Sequence, residues 1–247
     1  MSNIQLLETI LYDPKEGVFL GDFHWERMIN SAKELAAFLA SDQEKFLQDL
    51  IPTRSELAYK LEGAIRNAGI EKRQRLRVLL DFDGAVSIQS SHLPSEIGKL
   101  SDSTILVLLD TMPINKNNVF LHHKTTERET YNEARKRAGL GPPGGPAEPN
   151  VPYDVIMYNE DGEVTEGTIF NLAVELMNED TGKLEWITPP ESSGLLRGTY
   201  RRKLLEEGAI QEGVITLEDL KKAVMQDKRK IKLFNSVRKE FYVTLLQ

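Results

Sequence analysis

No cysteine occurs among the 247 residues. Its absence excludes thiolate nucleophiles, disulfide staples and cysteine-held metals, and it fits a reducing compartment. Long apolar runs are also missing: no stretch approaches the roughly 20 residues that span a bilayer. The opening "MSNIQLLETILYD" has neither a basic start nor a continuous apolar core. Positive charge is in deficit, with 31 Lys and Arg against 38 Asp and Glu. The basic runs "EKRQRLR" and "QDKRKIK" are cut by acids or apolar residues and read as solvated faces, so neither nucleic acid nor an anionic membrane is an expected partner. The expectation is a cytoplasmic protein without a metal site.

What is present is enough apolar sequence, 40% of residues, for a large core or two modest ones. Ile4 to Tyr12 and "VFLG" flank the turn "DPKEG" and predict a hairpin. Asp22 is the expected cap of a helix whose Trp25, Met28, Ile29, Ala32, Leu35, Ala36 and Leu39 form one apolar stripe. Arg27 lies off that stripe. Thr53 and Glu56 have capping-box spacing for a second helix, which Gly69 ends. "LRVLLDF" and "AVSIQS" around Asp83-Gly84 predict another hairpin. The polar stretch "TMPINKNN" reads as a linker, which gives a domain of residues 1–112, a linker at 113–119 and a second domain at 120–247. Strands and helices follow one another without a strict βαβ rhythm, so the expected fold is mixed α/β or α+β rather than purely parallel.

Three short segments have chemical potential. A lysine with its ordinary pKa of about 10.4 is protonated at neutral pH, so a nucleophilic one must be desolvated or set among other cations. Lys124 follows "VFL", read as a buried strand, and has His122, His123 and Arg128 nearby in sequence. A lysine that bonds pyridoxal phosphate also needs an acid at the pyridine nitrogen and a phosphate cradle at a helix N-terminus. Glu166, in "EVTEGTIFNL", is such an acid. "TPPESSGLLRGTYRR" runs into a helix whose first-turn N–H groups, around Thr199 and Tyr200, could form such a cradle. Taken singly, each has a plainer reading: a solvated cation, a turn-region acid and a loop-to-helix junction.

Together, the ordered motifs "HKTTxRxxYxxA", "EVTEGTxxNL", "TPPxxSGLLxGTxR" and "LxNSVR" resemble the fold-type IV pyridoxal-phosphate enzymes. These include branched-chain and D-amino acid aminotransferases and aminodeoxychorismate lyases. The resemblance is nearest to the lyase domains fused to para-aminobenzoate synthases, and it spans almost the whole chain. It implies two domains with the cofactor between them, a homodimer, and an amino-acid-like small-molecule substrate. It also implies residue roles: Lys124 as the Schiff-base lysine and proton carrier, Glu166 at the pyridine nitrogen, and Arg27, Thr199, Tyr200 and Ser236 around the phosphate. Asn171 falls close to the cofactor, and Thr9 is the candidate for assisting proton transfer. The implied activity is conversion of 4-amino-4-deoxychorismate to 4-aminobenzoate and pyruvate, on the way to folate. An aminotransferase acting on a D-amino acid, a branched-chain amino acid or an amine is the alternative, and a binding protein whose site has decayed is a third. Two departures stand out: Arg197 where many members have proline, and a long loop at 141–150.

Overall fold

The computed structural model describes residues 4–39, 51–93, 105–143, 148, 150–178, 181–226 and 230–246. The chain divides into two compact units, Met1–Ile97 with His123–Glu127, and Gly98–His122 with Arg128–Gln247.

The first unit is a four-stranded antiparallel sheet. Strands β1 (Leu6–Asp13), β2 (Gly17–Val18), β3 (Gln74–Leu80) and β4 (Val86–His92) lie in the order β2-β1-β3-β4. Helices α1 (Gly21–Leu39) and α2 (Arg54–Ala68) pack on one face. Met28, Ala32, Leu35 and Ala36 of the predicted stripe are buried, and Leu39 lies outside the described side chains. Asp22 is not the cap: α1 begins at Gly21, so Asp22 sits in the first turn and pairs with Arg54. The capping box of α2 forms as expected, and Gly69 ends the helix at φ 101°, a conformation that favours glycine. Asp83 and Gly84 turn β3 into β4.

The second unit is an eight-stranded mixed sheet in the order β10-β9-β8-β11-β12-β5-β6-β7. Its strands are β5 (Leu106–Leu109), β6 (Pro152–Tyr158), β7 (Val164–Gly167), β8 (Asn171–Met177), β9 (Leu184–Thr188), β10 (Gln211–Glu212), β11 (Ile231–Asn235) and β12 (Lys239–Leu245). Helices α3 (Glu129–Arg137), α4 (Thr199–Glu206) and α5 (Leu217–Gln226) pack against it. Val107, Ile156, Phe170, Leu172, Ile215 and Leu233 belong to one buried cluster. Strands β8, β9, β11 and β12 pair antiparallel, whereas β12-β5, β5-β6 and β9-β10 pair parallel, as the irregular strand and helix order implies.

The units part elsewhere than at the expected linker. Ile114 is buried and bridges Asn159, so residues 113–119 are built into the second unit. Residues 123–127 instead pair with β1 of the first. The "VFL" segment is a 3-10 turn, Val119–Leu121, rather than a strand, because the Asn118 side chain accepts from the Phe120 N–H and closes it. Among the described residues no helix is long and apolar enough to cross a membrane. Residues 144–147 and 149 of the 141–150 loop lie outside the described residues.

Candidate active site

In the first unit, alternation along β1 sends Leu6, Glu8 and Ile10 to the helix-covered face and Leu7, Thr9 and Leu11 to the other. Glu8 is 2% exposed, and a carboxylate so placed needs partners. It has two on α1: Arg27 donates through Nε (2.8 Å) and Nη2 (2.5 Å), and His24 lies at 2.6 Å through Nδ1. His24 and Arg27 are three residues apart, so they share a helix face.

Burial would raise the Glu8 pKa, but the charges and hydrogen bonds of Arg27 and His24 outweigh it and hold the group at about 2. Burial depresses the His24 pKa despite Glu8, and the positive charges of Arg27 and Lys124 add to that. His24 is therefore neutral and donates through Nδ1, while Arg27 carries the charge. A carboxylate whose folded pKa is depressed stabilises the fold above its unfolded value. That stabilisation erodes from pH 4.5 down to about 2. Glu8→Gln should cost roughly 2–4 kcal/mol at pH 7, because it strands a buried guanidinium, and should flatten this part of the acid profile. Urea midpoints of the two proteins at pH 7 and pH 3 measure both effects. An unchanged pH 7 midpoint would contradict the assignment.

The segment that bears Lys124 is tied to β1. Leu7 N–H donates to the Lys124 carbonyl (2.8 Å), Thr126 N–H donates to the Gln5 carbonyl (2.9 Å), and Leu6 bridges Thr125 antiparallel. In this register His123 falls opposite Glu8 and Lys124 opposite Leu7. The arrangement agrees with His123, whose Nδ1 is 3.2 Å from Ser31 Oγ on α1. Lys124 thus takes a register position on the β1 face that carries Thr9. Across β3, Thr9 is paired with Arg77. His123 is 4% exposed and engaged with α1.

In the second unit, Glu166 is the last residue but one of β7 and is 3% exposed. Its Oε1 accepts from the Tyr131 hydroxyl (2.8 Å) and the Leu196 N–H (2.9 Å), and its Oε2 from Asn171 Nδ2 (2.9 Å). Asn171 also donates to the Leu196 carbonyl (2.9 Å), so it fastens the Glu166 strand to the loop that enters α4. Gly198 caps α4, and a Cβ there would lie 1.8 Å from Asn171 Oδ1. Only glycine leaves room for that amide. Burial, with the Glu166 charge and hydrogen bond, raises the Tyr131 pKa well above its ordinary 10.0, so Tyr131 is a fixed donor.

Helix α4 opens at Thr199 without a side-chain cap, and Thr199 and Tyr200 are both buried. The Tyr200 ring lies 6.3 Å from that of Phe234, two residues before Ser236, which is 7% exposed. Arg197 is 39% exposed and bonds Glu191 through Nε (2.8 Å), so it is partnered by an acid rather than left to solvent alone. Among the described residues no cluster of His, Asp or Glu could hold a metal.

Sequence reading overlooked Glu8 and His24, and it singled out no role for Tyr131 at Glu166. The signals were present: a lone acid inside "LLETIL", and a histidine one turn before Arg27.

A family model described as "Amino-transferase class IV" matches residues 5–239. A Schizosaccharomyces pombe protein named "Putative aminodeoxychorismate lyase" is 32% identical over 243 residues, covering 97% of this chain and 88% of that protein. A crystal structure of a "Putative amino-acid aminotransferase" from Mesorhizobium loti superposes with a TM-score of 0.74 at 26% identity, covering 98% of this chain and all of that one. The PLP-bound form of a hypothetical aminotransferase from Mycobacterium tuberculosis gives a TM-score of 0.66 at 20% identity, covering 99% of this chain and 82% of that one.

Proposed function

Because the chain belongs to the class IV amino-transferase family, we propose that it binds pyridoxal 5'-phosphate and acts as a lyase on 4-amino-4-deoxychorismate, yielding 4-aminobenzoate and pyruvate. The observation that carries the cofactor reading is the buried Glu166 carboxylate, which accepts from the Tyr131 hydroxyl, the Leu196 N–H and Asn171 Nδ2. A buried carboxylate is most stable opposite a cation, and a protonated pyridine nitrogen is one. The depressed pKa of Glu8 keeps a full charge beside Arg27, which suits an arginine fixed for a phosphate. The uncapped opening of α4 suits an anion as well. For the lyase, support comes from the likeness to the S. pombe protein over nearly the full length of both chains.

When bound, pyridoxal phosphate supplies an electron sink for the bond broken at the substrate. Lys124 would hold the cofactor covalently and, once released as an amine, take the proton from the ring carbon that bears the amino group. Thr9, on the same β1 face, would help move it. Glu166 would keep the pyridine nitrogen protonated, with Asn171 and Tyr131 holding its two oxygens. Arg27, Thr199, Tyr200 and Ser236 would bind the phosphate. The C–O bond to the enolpyruvyl group then breaks and the ring becomes aromatic. The proton taken from the ring is balanced by one gained by the departing enol, so no oxidant or water is consumed.

A second reading, an aminotransferase, has support in the likeness to the M. loti structure. It would use the same residues but return the proton to the cofactor carbon. Product analysis separates the two. Stoichiometric pyruvate and 4-aminobenzoate are expected from aminodeoxychorismate, whereas keto-acid-dependent amine transfer without 4-aminobenzoate would overturn the lyase. The family reading also implies a homodimer, and light scattering of the purified protein tests it.

A further inference from the structure

We infer that Arg135 and Asp154, acting through Thr168, are positioning residues for the Glu166 carboxylate. The inference rests on the reading that Glu166 faces the pyridine nitrogen. Both bond Thr168, two positions beyond Glu166. Their effect runs through the turn that follows it.

Asp154, on β6, is fully buried, and Arg135, on α3, is 7% exposed. Arg135 Nη1 donates to Asp154 Oδ1 (3.2 Å) and to Thr168 Oγ1 (3.1 Å), while Nε donates to the Gly141 carbonyl (2.8 Å). The Thr168 hydroxyl donates to Asp154 Oδ1, and the Thr168 N–H does so at 3.2 Å. From the other side, Arg128 Nη2 donates to the Thr168 carbonyl (2.6 Å). The residue two beyond Glu166 is therefore held at its nitrogen, its hydroxyl and its carbonyl. Between them, Gly167 closes so tightly on Asp154 that a Cβ would lie 2.6 Å from Oδ2.

Three of the anchoring side chains come from α3 and its first flanking residue, and Asp154 comes from β6. Arg128, Tyr131 and Arg135 follow at intervals of three and four, which aligns them on one helix face. The Arg128 guanidinium lies 4.6 Å from the centroid of the Tyr131 ring, and the Tyr131 hydroxyl donates to Glu166. One helix thus holds both the carboxylate and the turn behind it. Stability alone does not account for this pair. Burial raises the Asp154 pKa beyond what Thr168, the backbone and Arg135 restore, so the charged aspartate is a net cost to the fold. A costly buried pair fits a role in geometry.

The test compares Thr168→Val, which keeps the side-chain shape and removes the hydroxyl linking Arg135 to Asp154, and Arg135→Lys, which keeps the charge and removes the fork. Asp110→Asn is the control. It breaks another ion pair to α3, with Arg137 (2.8 and 2.6 Å), that does not reach residues 166–168. In cofactor-free protein, carboxyl 13C NMR reads the Glu166 titration. In protein loaded with 15N-labelled pyridoxal phosphate, the ring-nitrogen shift reads its protonation.

Both test variants should raise the Glu166 midpoint by one pH unit or more. They should also lower the ring-nitrogen midpoint by a similar amount, with cofactor affinity changed less than threefold. Asp110→Asn should lower the melting temperature and move neither midpoint. If the variants lose thermal stability while both midpoints stay put, the pair is only structural and the inference is overturned. Should wild-type protein bind no cofactor, the cofactor reading fails, and the Glu166 titration still decides whether the pair positions this carboxylate.

Discussion

Replacing Lys124 with alanine is expected to remove essentially all turnover, by about 10⁴-fold or more, together with any borohydride-reducible link between protein and cofactor. The fold should survive. The bond that ties this segment to β1 uses the Lys124 carbonyl, not its side chain, and the flanking Thr125 and His123 make their own buried contacts. A stability change within about 1 kcal/mol is therefore expected. The amine has two separable tasks, holding the cofactor and carrying a proton. Added methylamine can replace the second but not the tether, so partial rescue of turnover without restored covalent attachment is the expected pattern. Two results would remove Lys124 from its role: a reducible adduct persisting in Lys124→Ala, or kcat within tenfold of wild type.

Lys124, Thr9 and Arg27 were legible as candidates through the family resemblance, but the means of their placement was not. An isolated bridge between Leu6 and Thr125, more than a hundred positions apart, sets the face on which Lys124 falls. No local pattern announces such a pairing. Apart from the resemblance, Arg27 had no signal beyond lying off the apolar stripe, because the stripe reports what faces the core. It does not report that a buried acid on the neighbouring strand can draw a charge inward. Local rules did well where the structure itself is local: the capping box at Thr53 and Glu56 and the Asp83-Gly84 turn form as read. They failed at "VFL", where apolar residues were taken for a strand although Asn118 closes them into a turn. The linker expectation failed for a related reason. "TMPINKNN" is polar in composition, yet its one buried residue, Ile114, bridges Asn159 and locks the segment into the second unit.

Glu166→Gln separates holding the cofactor from activating it. The phosphate contacts proposed for Arg27, Thr199, Tyr200 and Ser236 are untouched, so cofactor affinity should change less than about threefold, whereas proton abstraction should slow by roughly 10²–10³-fold. The asymmetry follows from charge. The carboxylate favours a proton on the pyridine nitrogen, and a neutral amide supplies no such bias, so the ring becomes a weaker sink. Geometry adds a second, smaller cost. Tyr131 and Leu196 both donate to Oε1, which the amide oxygen can still satisfy. Asn171 Nδ2 donates to Oε2, and there an amide NH₂ would meet donor with donor. Turning Asn171 over would forfeit its bond to the Leu196 carbonyl and bring its NH₂ against Gly198, so about 1–2 kcal/mol of stability should be lost. Loss of α-deuterium from labelled substrate, followed alongside cofactor titration, reads the two effects separately. Equal rates of deuterium loss in the two proteins would end the pyridinium assignment. A rate loss explained wholly by weaker cofactor binding would place Glu166 in the seat rather than in the chemistry.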